Sequence, residues 1–355
     1  MTVGIHYLRV KDPVVTMGCG GFRVEGGHDS TVRVPIPYLK CVGFIGEAAS
    51  EDSAGIHGEL CATGFFVSAP LPSRHLPQRT LYFVTAAHVA KDLSDKPIYF
   101  LVNKKGGGVT GINNMMHSNW WVHPTDKTAD VALLPVGFQN DVDITAIALV
   151  DFVGAEDFSS QAIGVGDEVF ITGLFTVVTS ADRLMPIVRH GNIAMLPREQ
   201  IQTDLGFADV HLIEARSIGG LSGSPVFVRP SVTIEVDSES GPAKLAASTR
   251  PKLFGLTHGH WAIKESDINK PQIDHDRQRG VNYGVAIVVP AAKILEIIDR
   301  PELREDRQLQ EDALKRKSIP GMDSAKAEKR EPILTKAEFE TALKKASRKV
   351  RPKRA

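Results

Sequence analysis

The chain has 355 residues, and its 42 lysines and arginines balance 42 aspartates and glutamates, so the formal net charge is zero. This balance gives no overall field that would favour nucleic acid or acidic substrates. A hydrophobic content of 42% is enough for a sizeable core. Three cysteines, Cys19, Cys41 and Cys61, are too few for a disulfide scaffold, and we expect reduced thiols, with a Cys41–Cys61 bridge as the open alternative.

The first thirty residues carry no recognisable targeting signal. Met1 to Gly20 lacks a basic stretch followed by an apolar one, and no run of eighteen apolar residues occurs anywhere in the chain. We therefore expect a cytoplasmic protein without a membrane span. Residues 1–30 show no clear period and are predicted to be an N-terminal extension.

Short apolar runs separated by turn residues follow and predict β-strands. Four of them lie at 40–45, 62–67, 80–84 and 98–102. Two more are expected around Trp120-Trp121-Val122 and from Val131 onward. Together they predict a six-stranded antiparallel barrel over about 31–145.

Two polar residues adjoin these strands. His88 follows the apolar run that begins at Leu81, and Asp130 stands directly before the run Val131–Val136. Each has an ordinary alternative, as a core histidine or a turn acid. Asp126 is the rival acid, but Asp130 is favoured because the strand after it would fix its backbone and keep it poorly solvated.

A second set of strands occupies the C-terminal half. Apolar runs are found at 168–175, 185–189, 210–214, 226–228, 252–257 and 281–288. They predict a second barrel over about 160–290, with the polar segment 230–250 as an inserted loop. Pro290 followed by apolar residues at helical spacing predicts a closing helix over 291–299.

The stretch Gly219-Gly220-Leu221-Ser222-Gly223-Ser224-Pro225 precedes one of these strands. A serine flanked by glycines can present its hydroxyl on a tight turn, although such composition is also typical of a plain hairpin. Gly220 can adopt a positive φ and direct its N–H toward the same point as the N–H of Ser222. Two converging N–H groups are what the oxyanion of acyl transfer requires.

Taken together, these segments resemble the trypsin-like (chymotrypsin-fold) serine proteases, particularly bacterial members. The resemblance is carried by Thr85-Ala86-Ala87-His88, Asp130-Val131-Ala132-Leu133-Leu134 and Gly220-Leu221-Ser222-Gly223-Ser224-Pro225. His88 and Asp130 are 42 residues apart and Asp130 and Ser222 are 92 apart, in an order and spacing that suit the family. The match covers roughly residues 40–300, in short blocks.

The resemblance implies an all-β fold of two six-stranded antiparallel barrels with a C-terminal helix, forming a protease domain over 31–300. It also implies a serine endopeptidase in which His88, Asp130 and Ser222 form the catalytic triad and the N–H groups of Gly220 and Ser222 form the oxyanion hole. Neither a cofactor nor a metal is expected. An α/β-hydrolase is disfavoured because its elbow needs glycine where Ser224 stands, followed by a helix.

The chain departs from the family at two places. Leu221 replaces the aspartate that pairs with a freshly cut N-terminus in zymogen-activated members, so the site is either preformed or ordered by a partner. Arg216 would lie at the base of the specificity pocket, with Thr257 and His258 on its wall. Arg216 with His258 could favour an acidic substrate side chain, as in glutamyl endopeptidases, whose pocket histidine aligns with Thr257; alternatively, Arg216 points to solvent.

The composition changes after Arg300, since residues 301–355 hold sixteen lysines and arginines against ten acids. This segment is predicted to be a largely disordered basic tail with a short helix over about 336–349, capped at Thr335. It is either a solubilising tail or a docking element for a regulatory partner. A catalytically silent or partner-gated binding module is therefore the alternative to a constitutive protease acting on proteins or peptides.

Overall fold

The computed structural model describes residues 33–52, 55–73, 78–114, 120–138, 140–174, 183–203, 205–215, 220–230, 233–235, 244–246, 250–264 and 280–317. The strands are β1 (Val42–Asp52), β2 (Gly55–Pro70), β3 (Arg79–Thr85), β4 (Ile98–Asn103), β5 (Val109–Asn114), β6 (Trp121–Val122), β7 (Ala132–Val136), β8 (Ile147–Ala148), β9 (Glu168–Gly173), β10 (Ile187–Met195), β11 (Ile201–Thr203), β12 (Gly206–Ala208), β13 (His211–Glu214), β14 (Pro225–Val228), β15 (Thr233–Glu235), β16 (Lys244–Ala246), β17 (Lys252–Lys264) and β18 (Gly280–Pro290). The helices are α1 (Ile36–Leu39), α2 (Ala87–Asp92), α3 (Ala155–Ser159), α4 (Ala291–Ile298) and α5 (Pro301–Lys317), with a 3₁₀ turn at Leu149–Asp151.

The N-terminal strands form an eight-stranded sheet. Its order is β5-β4-β1-β2-β3-β7-β6, and β8 pairs with β2 as the one parallel neighbour among the described strands. The predicted strands at 40–45, 62–67, 80–84 and 98–102 correspond to β1, β2, β3 and β4. Because β5 and β6 end this path, the described residues do not close the predicted first barrel, and its closure stays a prediction.

The C-terminal strands do close on themselves. The barrel runs β10-β13-β18-β17-β14-β9, and every neighbouring pair within it is antiparallel. This confirms that the second half of the chain folds as a six-stranded antiparallel barrel. β17 and β18 extend beyond the predicted apolar runs, and the segment predicted as an inserted loop contains the short hairpin of β15 and β16.

Aromatic packing fixes the strands that carry the candidate site. The ring of Phe83, on β3, lies 4.6 Å from that of Phe100 and 5.3 Å from that of Phe66. Gly64, on β2, makes this packing feasible, because a Cβ there would lie only 2.2 Å from Phe83. β3 is buried along nearly its whole length, which explains why it reads as a continuous apolar run rather than an alternating one.

The two cysteines of the described region are free thiols. Cys41 is buried and Cys61 is exposed. The Cys41–Cys61 bridge kept open above is therefore absent, and reduced thiols are observed at both positions. Cys19 lies outside the described residues.

Two helices follow the second barrel. α4 coincides with the predicted closing helix and buries Ile294, Ile297 and Ile298 on one face. α5 lies in the segment predicted to be largely disordered. Most of its residues are charged, and the few that are buried form no clear apolar stripe. Its Leu303 is fully buried. Its Arg307 is buried too, and its Nη1 donates hydrogen bonds of 2.9 Å to the Tyr82 hydroxyl and the Ile298 carbonyl.

The chain divides into two units, Met1–Gln308 and Leu309–Ala355. The described part of the second unit is the end of α5, in which Lys315 and Glu311 form an ion pair one helical turn apart. The predicted helix over 336–349 lies outside the described residues. Among the described residues, no helix combines the length and apolar character needed to cross a bilayer.

Replacing Arg307 by methionine is expected to destabilise the first unit by about 2 kcal/mol, because two buried acceptors lose a charged donor. Thermal unfolding followed by circular dichroism measures the change. Arg304→Met is the matched control, since the Arg304 side chain is 63% exposed and pairs only loosely with Asp299. Equal melting temperatures for the Arg307→Met protein and the wild type would contradict this role.

Candidate active site

His88 lies where a buried strand turns into a short helix. β3 ends at Thr85, Ala86 is fully buried, and His88 occupies the first turn of α2. The small side chains before it allow the chain to turn without a clash. The ring stays 24% exposed, so it is accessible from solvent while its backbone is held by the sheet.

Asp130 binds His88 at two points. Oδ1 accepts a hydrogen bond of 2.8 Å from the His88 backbone N–H, and Oδ2 lies 2.7 Å from His88 Nδ1. The carboxylate is almost fully buried, at 2% exposure. Burial alone would raise the pKa of Asp130, but hydrogen bonds and charges from His258 and His88 outweigh it and hold the pKa well below its usual range. The carboxylate therefore stays ionised and fixes the orientation of the His88 ring.

Asp126, the rival acid, belongs to a different set of contacts. It accepts hydrogen bonds from the backbone N–H and the hydroxyl of Thr128, at 2.9 and 2.7 Å, and forms an ion pair of 2.9 Å with Lys293. Burial opposes these bonds, yet together they lower the pKa of Asp126 to about 2. The geometry thus places Asp130, not Asp126, beside His88.

His258 meets the same carboxylate. Its Nδ1 contacts Oδ2 of Asp130, the oxygen that already binds His88. The two imidazole rings lie 5.5 Å apart and nearly perpendicular, at 86°. The sequence analysis placed His258 on the wall of a specificity pocket with Arg216, which lies outside the described residues. The contact with Asp130 carried no sequence signal, since 128 residues separate the pair.

The loop that carries Ser222 is held against the first sheet by Thr63 of β2. The Thr63 backbone N–H donates to the Ser222 carbonyl at 3.1 Å, and its hydroxyl donates to the Gly220 carbonyl at 2.8 Å. Gly220 and Gly223 have φ angles of 92° and 78°, which glycine adopts most readily. A Cβ on Gly223 would also lie 2.3 Å from the Thr85 hydroxyl. The positive φ thus favours glycine at both positions, and at Gly223 the lack of space excludes a side chain as well.

Thr257 of β17 holds the other side of this loop. It is fully buried, and its hydroxyl donates to the Leu221 carbonyl, while its own carbonyl and N–H bond to Gly223 N and Ser224 O, each at 2.9 Å. The Leu221 carbonyl and the Ser222 N–H belong to one planar peptide and point in opposite directions. Thr257 therefore orients the Ser222 N–H rather than lying open to a substrate.

The Ser222 hydroxyl is not bonded to His88 in this structure. Its Oγ donates to the backbone carbonyl of His258 at 3.5 Å. Within the described part of the chain, His88 Nε2 is shielded from solvent and has no hydrogen-bond partner. Hydrogen bonds between catalytic groups are often long or poorly aligned before substrate binds, so this arrangement does not by itself exclude Ser222 as a partner of His88.

These residues could also hold a metal ion. His88, Asp130 and His258 each offer one ligand atom, and the three atoms lie within 4.8 Å of one another. Imidazole nitrogens and a carboxylate oxygen are ligands that zinc accepts. No metal is expected from the sequence, and the three residues lie far apart in it, at positions 88, 130 and 258.

Comparisons with known proteins add little. No protein-family model matches the sequence, and no curated protein matches it. Among solved structures, the chain is similar to the crystal structure of the MamO protease domain from Magnetospirillum magneticum in its apo form. The identity is 15% and the TM-score 0.42, over 73% of this chain and 96% of that one. A likeness this distant does not bear on activity.

Replacing each rival acid in turn separates their roles. Asp130→Asn is expected to shift the ring-nitrogen signals of both His88 and His258 in long-range ¹H–¹⁵N spectra, because the shared carboxylate no longer accepts from their Nδ1 atoms. Asp126→Asn is the matched control and should leave both histidines unchanged. The assignment fails if Asp126→Asn moves the His88 signals or if Asp130→Asn leaves them in place.

Proposed function

We propose that the protein is a serine endopeptidase that cleaves peptide bonds through an acyl-enzyme formed on Ser222. The observation that carries the proposal is the pair of hydrogen bonds by which Asp130 holds the backbone and the ring of His88. A buried carboxylate that orients a histidine is the part of the arrangement that makes the histidine a base for a hydroxyl nucleophile, and Ser222, on the glycine-flanked loop, is the serine we assign to it.

His88 acts as the general base. Oδ2 of the ionised Asp130 accepts a hydrogen bond from Nδ1–H of His88, which keeps the ring proton on Nδ1 and the lone pair on Nε2. When the Ser222 hydroxyl turns from the His258 carbonyl to Nε2, its proton passes to His88 as Oγ attacks the peptide carbonyl. His88 then donates this proton to the leaving amine, and water hydrolyses the acyl-enzyme.

The N–H groups of Gly220 and Ser222 stabilise the oxyanion. The direction of the Ser222 N–H follows from the Leu221 carbonyl, which accepts from the Thr257 hydroxyl and from Ser224 N at 2.9 Å. One donor of this kind typically lowers the barrier by about 3 kcal/mol. The Ser222 N–H therefore enters the proposed oxyanion hole from a peptide that two hydrogen bonds hold in place.

Leu221 supports a site assembled without proteolytic activation. Its side chain is fully buried in the apolar cluster of the second barrel, with Ile171, Ile213 and Val226. Apolar burial there replaces the charged pair that anchors the loop in zymogen-activated enzymes of the resembled family. The nucleophile loop thus needs no newly cut N-terminus.

A partner-gated protease or silent binding module is the second candidate. One observation favours it: the Ser222 hydroxyl bonds to His258 O and not to His88 Nε2. A peptide or partner entering the site would then have to turn the serine. A cytoplasmic location, a preference for acidic side chains and a partner for the basic tail stay predictions from the sequence.

Intact mass after treatment with a fluorophosphonate probe tests the proposal. A single adduct on the wild type, lost in Ser222→Ala, is expected because only an activated serine attacks this probe. Ser224→Ala is the matched control: the Ser224 Oγ is buried without a hydrogen-bond partner in the described structure, and this variant should label like the wild type.

Other outcomes have distinct meanings. Folded wild-type protein that forms no adduct would contradict a constitutively assembled triad and favour the gated or silent alternative. An adduct that persists in Ser222→Ala would place the reactive nucleophile elsewhere.

Thr257→Val should lower kcat about tenfold with little change in KM, because one of two bonds that orient the Ser222 N–H is lost while Ser224 N still holds the Leu221 carbonyl. Thr257→Ser, which keeps the hydroxyl, should retain nearly full activity. Steady-state kinetics on a peptide substrate measure both. A rise in KM at constant kcat in Thr257→Val would instead indicate a substrate contact.

A further inference from the structure

Acyl transfer needs one imidazole, yet this site holds two. Nδ1 of His88 and Nδ1 of His258 both contact Oδ2 of Asp130. The second ring comes from β17 in the barrel, whereas the first lies on α2 beside the sheet. The reaction proposed above uses only the backbone carbonyl next to this second ring, so its imidazole is unexplained.

The charges of the three groups suit a cation. A metal ion binds the neutral form of imidazole, and in that form the two rings and the carboxylate carry a net charge of −1. In the described part of the chain, the ion-pair partners of Asp130 are the two histidines, and no lysine or arginine pairs with it. Within the described ranges, a doubly charged ion would therefore meet a buried anion that no lysine or arginine neutralises.

The distances require both histidine contacts with Asp130 to lengthen, and the His258 contact is the closer of the two. The His88 Nδ1–Asp130 Oδ2 separation is 2.7 Å, whereas two ligands of one tetrahedral zinc ion, bound at about 2.1 Å, lie about 3.4 Å apart. The partly exposed His88 ring can retreat by this amount. Asp130 stays in place because its other oxygen accepts from the His88 backbone N–H.

We propose that His88, Asp130 and His258 form a binding site for a divalent transition-metal ion, with Zn²⁺ the ion that fits best, and that binding switches the protease off. The ion takes Nδ1 of each histidine and Oδ2 of Asp130, and leaves a fourth position for water. The inhibition, unlike the binding, rests on the proposed function.

Tautomerism explains the inhibition. In the metal-free site, Nδ1 of His88 carries the ring proton and Nε2 holds the lone pair. When the ion binds Nδ1 of both rings, each Nδ1 proton is displaced, and each neutral imidazole then carries its one proton on Nε2. Nε2 of His88 then cannot accept the proton of Ser222, and the serine loses its base.

Binding is tested without any activity measurement. Isothermal titration of Zn²⁺ into chelator-treated full-length protein should show one ion bound with a Kd on the order of micromolar. His258→Asn keeps a hydrogen-bond donor but removes a zinc ligand, and should weaken binding at least tenfold. The matched control is His190→Asn, since His190 is an exposed histidine on the same barrel, paired with Glu168, and should bind like the wild type.

A spectroscopic readout covers the case in which His258→Asn does not fold. On the wild type, one equivalent of Zn²⁺ should shift the ring-nitrogen signals of His88 and His258 together. Asp130→Asn supplies a second weakened variant. Unchanged signals at saturating Zn²⁺, or equal affinity in folded His258→Asn and wild type, would overturn the site.

Inhibition is measured separately. Zn²⁺ should suppress fluorophosphonate labelling of the wild type, EDTA should restore it, and His258→Asn should need at least tenfold more Zn²⁺. Labelling that persists in the Zn²⁺-saturated wild type overturns the switch while the proposed protease stands. A metal-free wild type that binds Zn²⁺ but never labels keeps the metal site and contradicts the proposed protease.

Discussion

The buried carboxylate of Asp130 holds this site together. One of its oxygens binds the backbone of His88 and the other binds the ring, so a single side chain fixes both the start of α2 and the direction of the imidazole. The same carboxylate also meets His258 on the barrel strand β17. Because hydrogen bonds keep it ionised despite burial, it provides a fixed negative charge at the point where sheet and barrel converge.

The nucleophile loop depends on the same convergence. Thr63 of the sheet binds the carbonyls of Gly220 and Ser222, and Thr257 of the barrel binds the carbonyl of Leu221 between them. Three successive carbonyls are thus held by the two halves of the fold, and the peptide planes that carry the N–H groups of Leu221, Ser222 and Gly223 are fixed with them. In the proposed reaction, packing thereby orients the Ser222 N–H, one of the two groups assigned to the oxyanion hole.

Much of the fold could be predicted because strands such as β3, β9 and β14 are buried along nearly their whole length. Phe83 and Val84 on β3 are buried beside both neighbouring strands, so the apolar run marks the strand directly. α4 was predicted for a similar reason. α5 is not predicted from the sequence, because Arg307 is held by hydrogen bonds to Tyr82 and Ile298. A local pattern of apolar residues cannot indicate such contacts.

The sequence by itself determined the identity and order of the candidate groups, since the segments around His88, Asp130 and Ser222 have local patterns of strand, turn and small residues. Only the tertiary structure decided which acid lies beside His88, that Thr257 faces the loop, and that His258 shares the carboxylate. Those contacts join residues as many as 128 positions apart. They depend on how the sheet packs against the barrel, and the short-range periodicity of the sequence carries no information about that packing.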